Sequence, residues 1–389
     1  MIHGKKSMVM ALSDLRGGGA ERVVVHLLNH WPSDQYRPVL LLAEKQGPYL
    51  KDLGPDVELL SCGFPLSAIN TPRALFRLRS LLRHAQPAAI FSHSITTSRM
   101  LTRARALGMT SAPLISVLHN NVGKSHQGRQ SLPDRVIRRE LDWVYSKASR
   151  IVAVSKGIAD ETREFFGIAQ DKVETIYNPI DLPQITAAGE RNPEDHFVDR
   201  FKQLRRPVIL SVGRLSEQKN HALLLDAYAQ QPRSLRGSLL ILGEGELRGP
   251  LEAKARTLGI HGEVFIPGFV SNPWWYMKQS DLYVMSSNWE GYPMVLLEAL
   301  ACGIPVVATD CEHGPSEIIQ GEAFGTLVPV GNARALADAI AKRLAGGKPQ
   351  PSADVRAFLS RYLPGLVAQR YIDAVANTAL SRPRRTWIP

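Results

Sequence analysis

Two glutamates eight residues apart stand in the stretch NWEGYPMVLLEALACGIPVVATD, which runs from residue 288 to residue 310. Glu290 precedes a Gly-Tyr-Pro turn, whereas Glu298 lies within an otherwise apolar run. Because proline is favoured at the first position of a helix, the stretch predicts a helix that begins at Pro293 and contains Glu298. A carboxylate is costly to bury without a partner, so Glu298 indicates a binding role.

The predicted helix would place hydrogen-bond donors between the two acids. The free N–H groups of its first turn, at Met294 and Val295, point toward the loop that holds Glu290. A carboxylate can accept hydrogen bonds from both hydroxyls of a vicinal diol, and a sugar nucleotide carries such groups on its ribose and its hexose. We therefore predict a donor-binding segment made of Glu290, Tyr292, Met294, Val295 and Glu298. The alternative is that Glu290 caps the helix and that Glu298 is buried with hydrogen bonds to the local backbone. This alternative explains Glu290 tolerably and Glu298 poorly.

A pair of cations forms a second candidate site. In VGRLSEQKN, Arg214 and Lys219 directly follow the apolar run PVILSVG. Two cations in one loop at a strand end could bind a diphosphate and stabilise it as it leaves. The alternative is two solvated surface cations beside Glu217, and the position after a strand favours the phosphate interpretation.

A glycine loop, LRGGGAER, follows another short apolar run and opens a helical pattern. Gly18 and Gly19 would let the backbone approach a ligand closely, and the helix N-terminus would offer free N–H groups to an anion. The loop matches neither the GxGxxG dinucleotide pattern nor the P-loop. A tight turn would also explain it, but we predict contact with the donor. By contrast, GEGELRG at residues 243–249 predicts a turn into a helix.

The elements that must position these loops form two similar sets. Short apolar runs alternate with helical patterns on both sides of a polar stretch at residues 186–206, which predicts an α/β protein with two Rossmann-like, doubly wound parallel-sheet domains. We place the domains at residues 1–180 and 181–363, followed by a C-terminal helix and basic tail at 364–389 that could return to the first domain. Ligands of such sheets bind beyond the carboxyl ends of the strands. A ligand between two such domains could be held from both sides.

The positive charge is concentrated in the first half of the chain. The formal net charge is +11, and residues 1–180 hold 24 Lys/Arg against 15 Asp/Glu. The excess gathers at residues 73–83, 99–105 and 129–150. Helices with arginine on one face and apolar residues on the other suit an anionic membrane surface, although each alone could be a solvated face. No DNA- or RNA-binding module is recognisable, so nucleic acid is not a predicted partner.

Several classes of protein are disfavoured. No run of about 18 apolar residues predicts a membrane-spanning helix, and no signal peptide is recognisable. The three cysteines, Cys62, Cys302 and Cys311, lack the spacing of a zinc site or a disulfide framework and suit a reducing compartment. We therefore expect a cytoplasmic protein bound peripherally to the inner face of the cell membrane.

These motifs together resemble a known family. EGYPMVLLEALACGIPVVATD is similar to the E-x7-E signature of the retaining glycosyltransferases of family 4, which have the GT-B fold. SVGRLSEQKNHALLLDAYA resembles the donor-diphosphate loop of that family, and IYNPID resembles its interdomain junction, with Pro179 where many members have glycine. GGGAERVV is similar to the N-terminal loop of members that build bacterial surface polysaccharides. The resemblance covers nearly the whole chain.

The resemblance implies roles for the candidate residues. It places a nucleotide-sugar donor on the C-terminal domain, where Glu290 would contact the hexose and Glu298 the ribose diol. Arg214 and Lys219 would bind the diphosphate, so no metal or other cofactor is implied. The acceptor would bind mainly to the N-terminal domain.

Three further residues enter through the resemblance alone. FIPGFV matches the segment around the base, which implicates Phe269 and Val270. His119, at the end of LISVLH, matches a histidine near the sugar and the reaction centre, although a packed strand-end histidine is the alternative.

The implied activity is retaining transfer of a hexosyl or N-acetylhexosaminyl group to a saccharide, with same-face departure of the phosphate. The expected acceptor is linked to a lipid such as a polyprenyl diphosphate, within bacterial polysaccharide, lipopolysaccharide or glycolipid synthesis. UDP-GlcNAc, UDP-GalNAc and GDP-mannose all stay open as donors, and a UDP-sugar is preferred. The alternatives are a nucleotide-sugar epimerase, a sugar phosphorylase, and a non-catalytic partner protein with the same fold. A nicotinamide dehydrogenase is disfavoured because its glycine fingerprint is missing.

Overall fold

The computed structural model describes residues 5–16, 18–66, 70–120, 132–234, 236–347 and 352–380. The chain divides into two compact units. Unit 1 comprises Met1–Pro179 and Tyr362–Pro389, and unit 2 comprises Ile180–Arg361. Within the described ranges, no helix combines the length and the hydropathy needed to span a bilayer.

Unit 1 is built on a seven-stranded sheet in which all paired strands are parallel. Its strands are β1 (Ser7–Leu12), β2 (Arg37–Leu42), β3 (Glu58–Ser61), β4 (Pro87–Ser92), β5 (Leu114–Leu118), β6 (Arg150–Ala153) and β7 (Val173–Thr175). The helices between them are α1 (Gly19–Asn29), α2 (Thr71–Ala85), α3 (Ile95–Ala106), α4 (Leu132–Lys147) and α5 (Lys156–Phe166). The strand order is β3-β2-β1-β4-β5-β6-β7, so the winding direction reverses between β1 and β4.

Unit 2 repeats this plan with six strands, again in parallel pairs. They are β8 (Val208–Val212), β9 (Ser238–Leu242), β10 (Val264–Gly268), β11 (Leu282–Met285), β12 (Val306–Thr309) and β13 (Thr326–Val328). The helices are α6 (Leu182–Glu190), α7 (Val198–Lys202), α8 (His221–Ala229), α9 (Arg248–Thr257), α10 (Pro273–Gln279), α11 (Met294–Ala301), α12 (Pro315–Ile318), α13 (Ala333–Ala345) and α14 (Ala353–Ser360). The order β10-β9-β8-β11-β12-β13 reverses between β8 and β11.

The last helix, α15 (Pro364–Leu380), belongs to unit 1 and packs against α1. Its Tyr371 ring lies 5.1 Å from that of Phe91, centroid to centroid. The chain therefore leaves unit 1 after Pro179 and returns to it at Tyr362.

The central strands are continuous apolar runs because helices cover both faces of a parallel sheet. Every residue of β1, β5 and β9 is buried. The predicted fold class, with two Rossmann-like parallel-sheet domains, is confirmed. Doubly wound sheets bind ligands where the winding reverses, so the loops after β1 and β4 and after β8 and β11 are the places to look.

Candidate functional site

The two residues predicted to serve phosphate and sugar are in direct contact in unit 2. Lys219 Nζ lies 2.6 Å from Glu290 Oε1, and Ser287 Oγ donates to the same oxygen at 2.6 Å. The side chains of Lys219 and Glu290 are 19% and 6% exposed. The loop after β8 thus presents a cation, and the loop after β11 presents a carboxylate, at the same edge of the sheet. Charge-assisted hydrogen bonds of this kind hold both groups in defined positions.

Amide side chains join these two loops. Asn220 Nδ2 donates to Asn288 Oδ1 at 2.9 Å, and Asn288 Nδ2 donates to the Glu217 carbonyl at 2.8 Å. Gln218 Nε2 donates to the Trp289 carbonyl at 3.1 Å. The predicted site did not include Asn220, Asn288 or Gln218. Their polar character in loops that follow apolar runs was the available signal, but the sequence did not say which residues would pair.

The residues around Lys219 orient its side chain. Asn220 adopts a left-handed conformation with φ of 42° and caps α8 by accepting a hydrogen bond from the Leu223 N–H at 3.2 Å. Asparagine tolerates that conformation better than most residues. On the other side, a Cβ atom at Gly213 would lie 3.3 Å from the aliphatic stem of Lys219. The lysine stem therefore packs on a glycine, and the turn that carries it ends in a helix cap.

The loop after β9 packs its backbone against this turn. A Cβ atom at Gly243, where φ is +147°, would lie 2.0 Å from the Gly213 carbonyl oxygen. At Gly245 the corresponding distance to the Leu215 carbonyl oxygen is 2.3 Å. These glycines permit close approach of two backbones, and the loop then leads into α9, as the sequence predicted.

Glu298 lies on α11 with 3% of the residue exposed. The helix begins at Met294 with Pro293 as its N-cap, one residue later than predicted. Burial raises the pKa of Tyr283 on β11 well above its usual value, and the charges of Glu290 and then Glu298 add to this effect. Both carboxylates therefore lie close enough to act on one tyrosine.

A third loop, after β12, fixes the Gly-Tyr-Pro turn. Gly314 has a φ of +93°, and a Cβ atom there would lie 2.6 Å from Pro293 Cδ. The Glu290 N–H also donates to the Glu312 carbonyl at 3.3 Å. Any larger residue at 314 would push the turn that carries Glu290.

The other predicted donor-binding residues of unit 2 also follow strands of its sheet. Phe269 and Val270 come directly after β10, and Phe269 is 66% exposed whereas Val270 is buried. Tyr292 is buried in the loop before α11, and Met294 and Val295 form the first turn of that helix. Arg214 is exposed in the loop after β8. The predicted roles of these residues stay predictions.

In unit 1, the glycine loop leads into α1. Gly18 is the N-cap of that helix and Gly19 its first residue. A Cβ atom at Gly19 would meet nothing within 4 Å, while one at Gly18 would lie 2.3 Å from Glu21 Oε2. The space beside Gly19 is therefore open, and its predicted donor contact stays a prediction.

His119 follows β5 and pairs with a histidine that the predicted site did not include. His119 Nε2 lies 2.9 Å from His93 Nδ1, and the ring centroids are 5.2 Å apart. Burial lowers the pKa of His119 to about 4 and that of His93 well below its usual value, with the neighbouring His119 contributing to the second shift. Both rings are therefore neutral near pH 7. His93 directly follows the run AAIFS, and this position at a strand end was the signal in the sequence that could have identified it as a site residue.

Hydroxyl groups complete the polar edge of unit 1. Ser92 Oγ lies 2.7 Å from Thr97 Oγ1 and accepts a hydrogen bond from Ser98 Oγ at 2.8 Å. Ser94 Oγ lies 2.9 Å from Thr97 Oγ1 and 3.3 Å from Ser13 Oγ. These contacts join the loops after β1 and β4 through uncharged groups. Over the described ranges, no group of three or more His, Cys, Asp or Glu side chains is placed to hold a metal ion.

Comparison with known sequences gives matches along both units. The family description Glycosyltransferase Family 4 matches residues 17–184, and Glycosyl transferases group 1 matches residues 193–355. The N-acetylgalactosamine-N,N'-diacetylbacillosaminyl-diphospho-undecaprenol 4-alpha-N-acetylgalactosaminyltransferase of Campylobacter jejuni is 32% identical over 332 residues, which cover 82% of this chain and 84% of the relative. The lipopolysaccharide 1,6-galactosyltransferase of Escherichia coli K12 is 24% identical over 74% of each chain.

Solved structures share the fold. Anabaena HepE in complex with UDP and glucose superposes with a TM-score of 0.77 at 18% identity, covering 95% of this chain and 99% of HepE. The lipopolysaccharide outer core galactosyltransferase WaaB, in its apo form, gives a TM-score of 0.70 at 20% identity, with coverage of 95% and 99%. At these identities the likeness is evidence for the fold alone.

Proposed function

The chain belongs to glycosyltransferase family 4 and has the GT-B fold, and from this we propose that it is a retaining transferase of hexosyl or N-acetylhexosaminyl groups in bacterial polysaccharide or lipopolysaccharide synthesis. The observation that carries the proposal is the contact between Lys219 and Glu290 at the point where the sheet of unit 2 reverses its winding. A cation and a carboxylate side by side suit a donor that has a phosphate next to a sugar.

The proposed donor is a UDP-sugar. The Campylobacter relative is named for transfer of N-acetylgalactosamine, and the HepE structure contains UDP, which supports this choice. In our proposal Glu298 accepts hydrogen bonds from the ribose diol, and Arg214 and Lys219 bind the diphosphate. Phe269, exposed after β10, offers an apolar ring beside the base together with Val270.

The proposed chemistry is same-face transfer. The bond from C1 of the sugar to the β-phosphate oxygen breaks as the bond from C1 to the acceptor oxygen forms, and the acceptor hydroxyl proton passes to the leaving phosphate. Lys219 and Arg214 stabilise the charge that develops on that phosphate. Glu290 holds the hexose beside the phosphate instead of attacking C1, because its carboxylate is already bound by Lys219 and Ser287. A glycosidase-type double displacement would need a carboxylate nucleophile at C1.

We propose that transfer requires no metal ion. The two cations and the free N–H groups at the start of α11 would neutralise the diphosphate. Activity that persists at full rate in excess EDTA supports this part of the proposal, and activity restored only by added Mg²⁺ or Mn²⁺ contradicts it.

The proposed acceptor is a saccharide linked to a polyprenyl diphosphate, which suits a cytoplasmic enzyme bound to the inner face of the membrane. The name of the Campylobacter relative includes a diphospho-undecaprenol substrate. In unit 1, α2 and α4 both pack against α3, and they expose Phe76 (80%) and Val136 (65%). The same two helices expose arginines, at Arg73, Arg77, Arg79 and Arg83 on α2 and at Arg135, Arg138 and Arg139 on α4. This combination suits an anionic bilayer surface.

A donor screen tests the proposal. The purified protein is incubated with UDP-, GDP- and ADP-sugars and with polyprenyl-diphosphate saccharides, and the anomeric configuration of any product is read by NMR. We expect transfer from a UDP-sugar with the donor configuration retained, and its loss in Glu290→Ala. Inverted product contradicts the proposed mechanism. An altered sugar nucleotide formed without acceptor would instead indicate an epimerase.

A further inference from the structure

His93 occupies a position that the proposed mechanism has not used. It follows β4, where the sheet of unit 1 reverses its winding, and only 4% of the residue is exposed. Its ring is 5.2 Å from that of His119 with a 30° angle between the planes, and 6.2 Å from that of Tyr371 with an angle of 13°. The ring is therefore held between strand ends and α15, with little freedom to rotate.

The hydrogen bond between the two histidines requires one proton donor and one acceptor. His93 Nδ1 and His119 Nε2 are 2.9 Å apart. A neutral imidazole has one N–H and one bare nitrogen, whereas a protonated ring has two donors. Two protonated rings would place donor against donor, so the observed contact needs at least one bare nitrogen at this distance. The lowered pKa values of both rings agree with a pair of neutral imidazoles.

The other nitrogen of His93 indicates which ring donates. His93 Nε2 is buried and has no hydrogen-bond partner among the described residues. A buried N–H without an acceptor is rarer in proteins than an acceptor with an unused lone pair. His93 Nε2 is thus the bare nitrogen, and Nδ1–H donates to His119. His119 Nε2 is then the acceptor, and the single proton of that ring lies on its Nδ1.

We propose that His93 is a positioning residue for sugar transfer, which fixes the orientation of His119 and holds it as the neutral Nδ1–H tautomer. His119 then presents one N–H to an oxygen of the transferred sugar or of the acceptor. A neutral donor is suited to this place because an imidazolium would repel the positive charge that develops at C1 in the transition state. The inference rests on the proposed function, since it assumes that His119 faces a sugar.

Two variants separate positioning from simple packing. His93→Phe retains a ring of similar size against Tyr371 and removes the hydrogen bond. His93→Asn loses the ring but places a side-chain N–H close to the position of Nδ1. His261→Phe, at an exposed position of unit 2, is the matched control for the same change of residue type.

Kinetics with the donor found in the screen give the first measurement. We expect His93→Phe to lower kcat by about 10- to 100-fold, because a small misplacement of a catalytic group has an effect of that size. The donor KM should change by less than about 3-fold, since the donor nucleotide is held by unit 2. His93→Asn should recover most of the lost kcat, and His261→Phe should match the wild type. Equal kcat in His93→Phe and wild type overturns the proposal, as does equal loss in both His93 variants.

The tautomer is measured independently of activity. Long-range ¹H–¹⁵N NMR spectra of the full-length protein with labelled histidine distinguish a protonated ring nitrogen from a bare one. We expect His119 to show a protonated Nδ1 and a bare Nε2 in the wild type and in His93→Asn, and a mixture of tautomers in His93→Phe. A protonated His119 Nε2 in the wild type overturns the proposal. If the wild type transfers no sugar, the proposed function fails, and the tautomer measurement still decides whether His93 sets the state of His119.

Discussion

The two units share a sheet architecture but differ in the chemistry at the point where the winding reverses. In unit 2 the loops after β8 and β11 meet through the ion pair of Lys219 with Glu290. In unit 1 the loops after β1 and β4 meet through Ser13 and Ser94, and β5 adds the neutral pair of His119 with His93. One fold therefore carries a charged edge, which suits a diphosphate, and an uncharged edge, which suits sugar hydroxyls.

The glycines around these edges differ in the space beside them. In unit 2, Gly243, Gly245 and Gly314 have no space for a Cβ atom because another loop lies against them. In unit 1, Gly47 also has another loop against it, since a Cβ atom there would lie 1.9 Å from the Leu15 carbonyl oxygen, whereas Gly19 faces open space. The loops of unit 2 are thus held by each other, and we attribute the fixed position of Lys219 and Glu290 to that packing.

The largest expected effect on turnover comes from removing Lys219, the cation at the charged edge of unit 2. Lys219→Ala should lower kcat by about 10³-fold, because stabilisation of the leaving phosphate is lost in the transition state. UDP affinity should fall by less than about 10-fold, since in the proposed site Arg214 and the helix N–H groups would still bind the diphosphate. Steady-state kinetics and calorimetric titration with UDP measure the two quantities. Lys202→Ala, on the exposed surface of unit 2, is the control, and equal losses in turnover and affinity would count against this role.

The different space beside Gly243 and Gly19 predicts different results for their alanine variants. Gly243→Ala should lower the free energy of unfolding by about 2 kcal/mol or more, because a Cβ atom would clash with backbone and the φ is unfavourable. Gly19→Ala should leave stability unchanged and, if the glycine loop contacts the donor as predicted, lower donor affinity. Urea unfolding and donor titration test both. A destabilised Gly19→Ala protein would show that the two loops do not differ in the proposed way.

The neutral histidine pair predicts a pH dependence of stability in unit 1. Unfolded histidines bind protons below about pH 6.5, whereas the lowered pKa of His119, about 4, and of His93 keeps both rings neutral in the folded state. Unfolding therefore becomes more favourable as pH falls from 6.5 toward 4, by at most about 1.4 kcal/mol per pH unit for each ring, and no such change occurs above 6.5.

Hydrogen exchange measured by mass spectrometry between pH 7 and pH 5, corrected for the intrinsic exchange rate, resolves this dependence for each unit. Among the described residues of unit 2, one histidine is comparable: burial lowers the pKa of His221 to about 3. We expect unit 1 to lose stability more steeply than unit 2, and a steeper loss in unit 2 would contradict this.

The smallest effect on catalysis is expected at the arginine-rich helices. Arg77→Glu with Arg79→Glu on α2 should reduce flotation with anionic vesicles, since each basic residue at such a surface contributes about 1 kcal/mol. Activity on a soluble acceptor should be retained. Arg256→Glu with Arg361→Glu makes the same charge change on exposed residues of unit 2. Equal flotation of the two double variants, or no binding of the wild type at physiological salt, would remove the membrane proposal.

Much of this organisation could be predicted from the sequence because its signals are local. Apolar runs bounded by turn residues predicted both sheets, and the family resemblance is confirmed by the comparisons. The spacing of Glu290 and Glu298 around a proline predicted a helix start between them, displaced by one residue because Pro293 is the N-cap.

The partners of these residues could not be predicted. Asn220 bonds Asn288 and His93 bonds His119 because strand order brings distant loops together. A run of apolar residues predicts a strand but does not say which strand lies beside it. The open space at Gly19 and its absence at Gly243 depend on the same long-range packing, which composition does not encode.

The proposed division of roles between the two acids of the E-x7-E motif places Glu290 on the sugar of the donor and Glu298 on its ribose. Its most direct test is calorimetric titration of UDP and of the intact UDP-sugar into wild type, Glu290→Gln and Glu298→Gln. We predict that Glu298→Gln lowers the affinity for UDP and for the intact UDP-sugar by the same factor. Glu290→Gln should leave UDP affinity unchanged or higher, because Lys219 loses a competing carboxylate, and should lose affinity only for the intact donor. An equal loss of UDP affinity in both variants would contradict this division of roles.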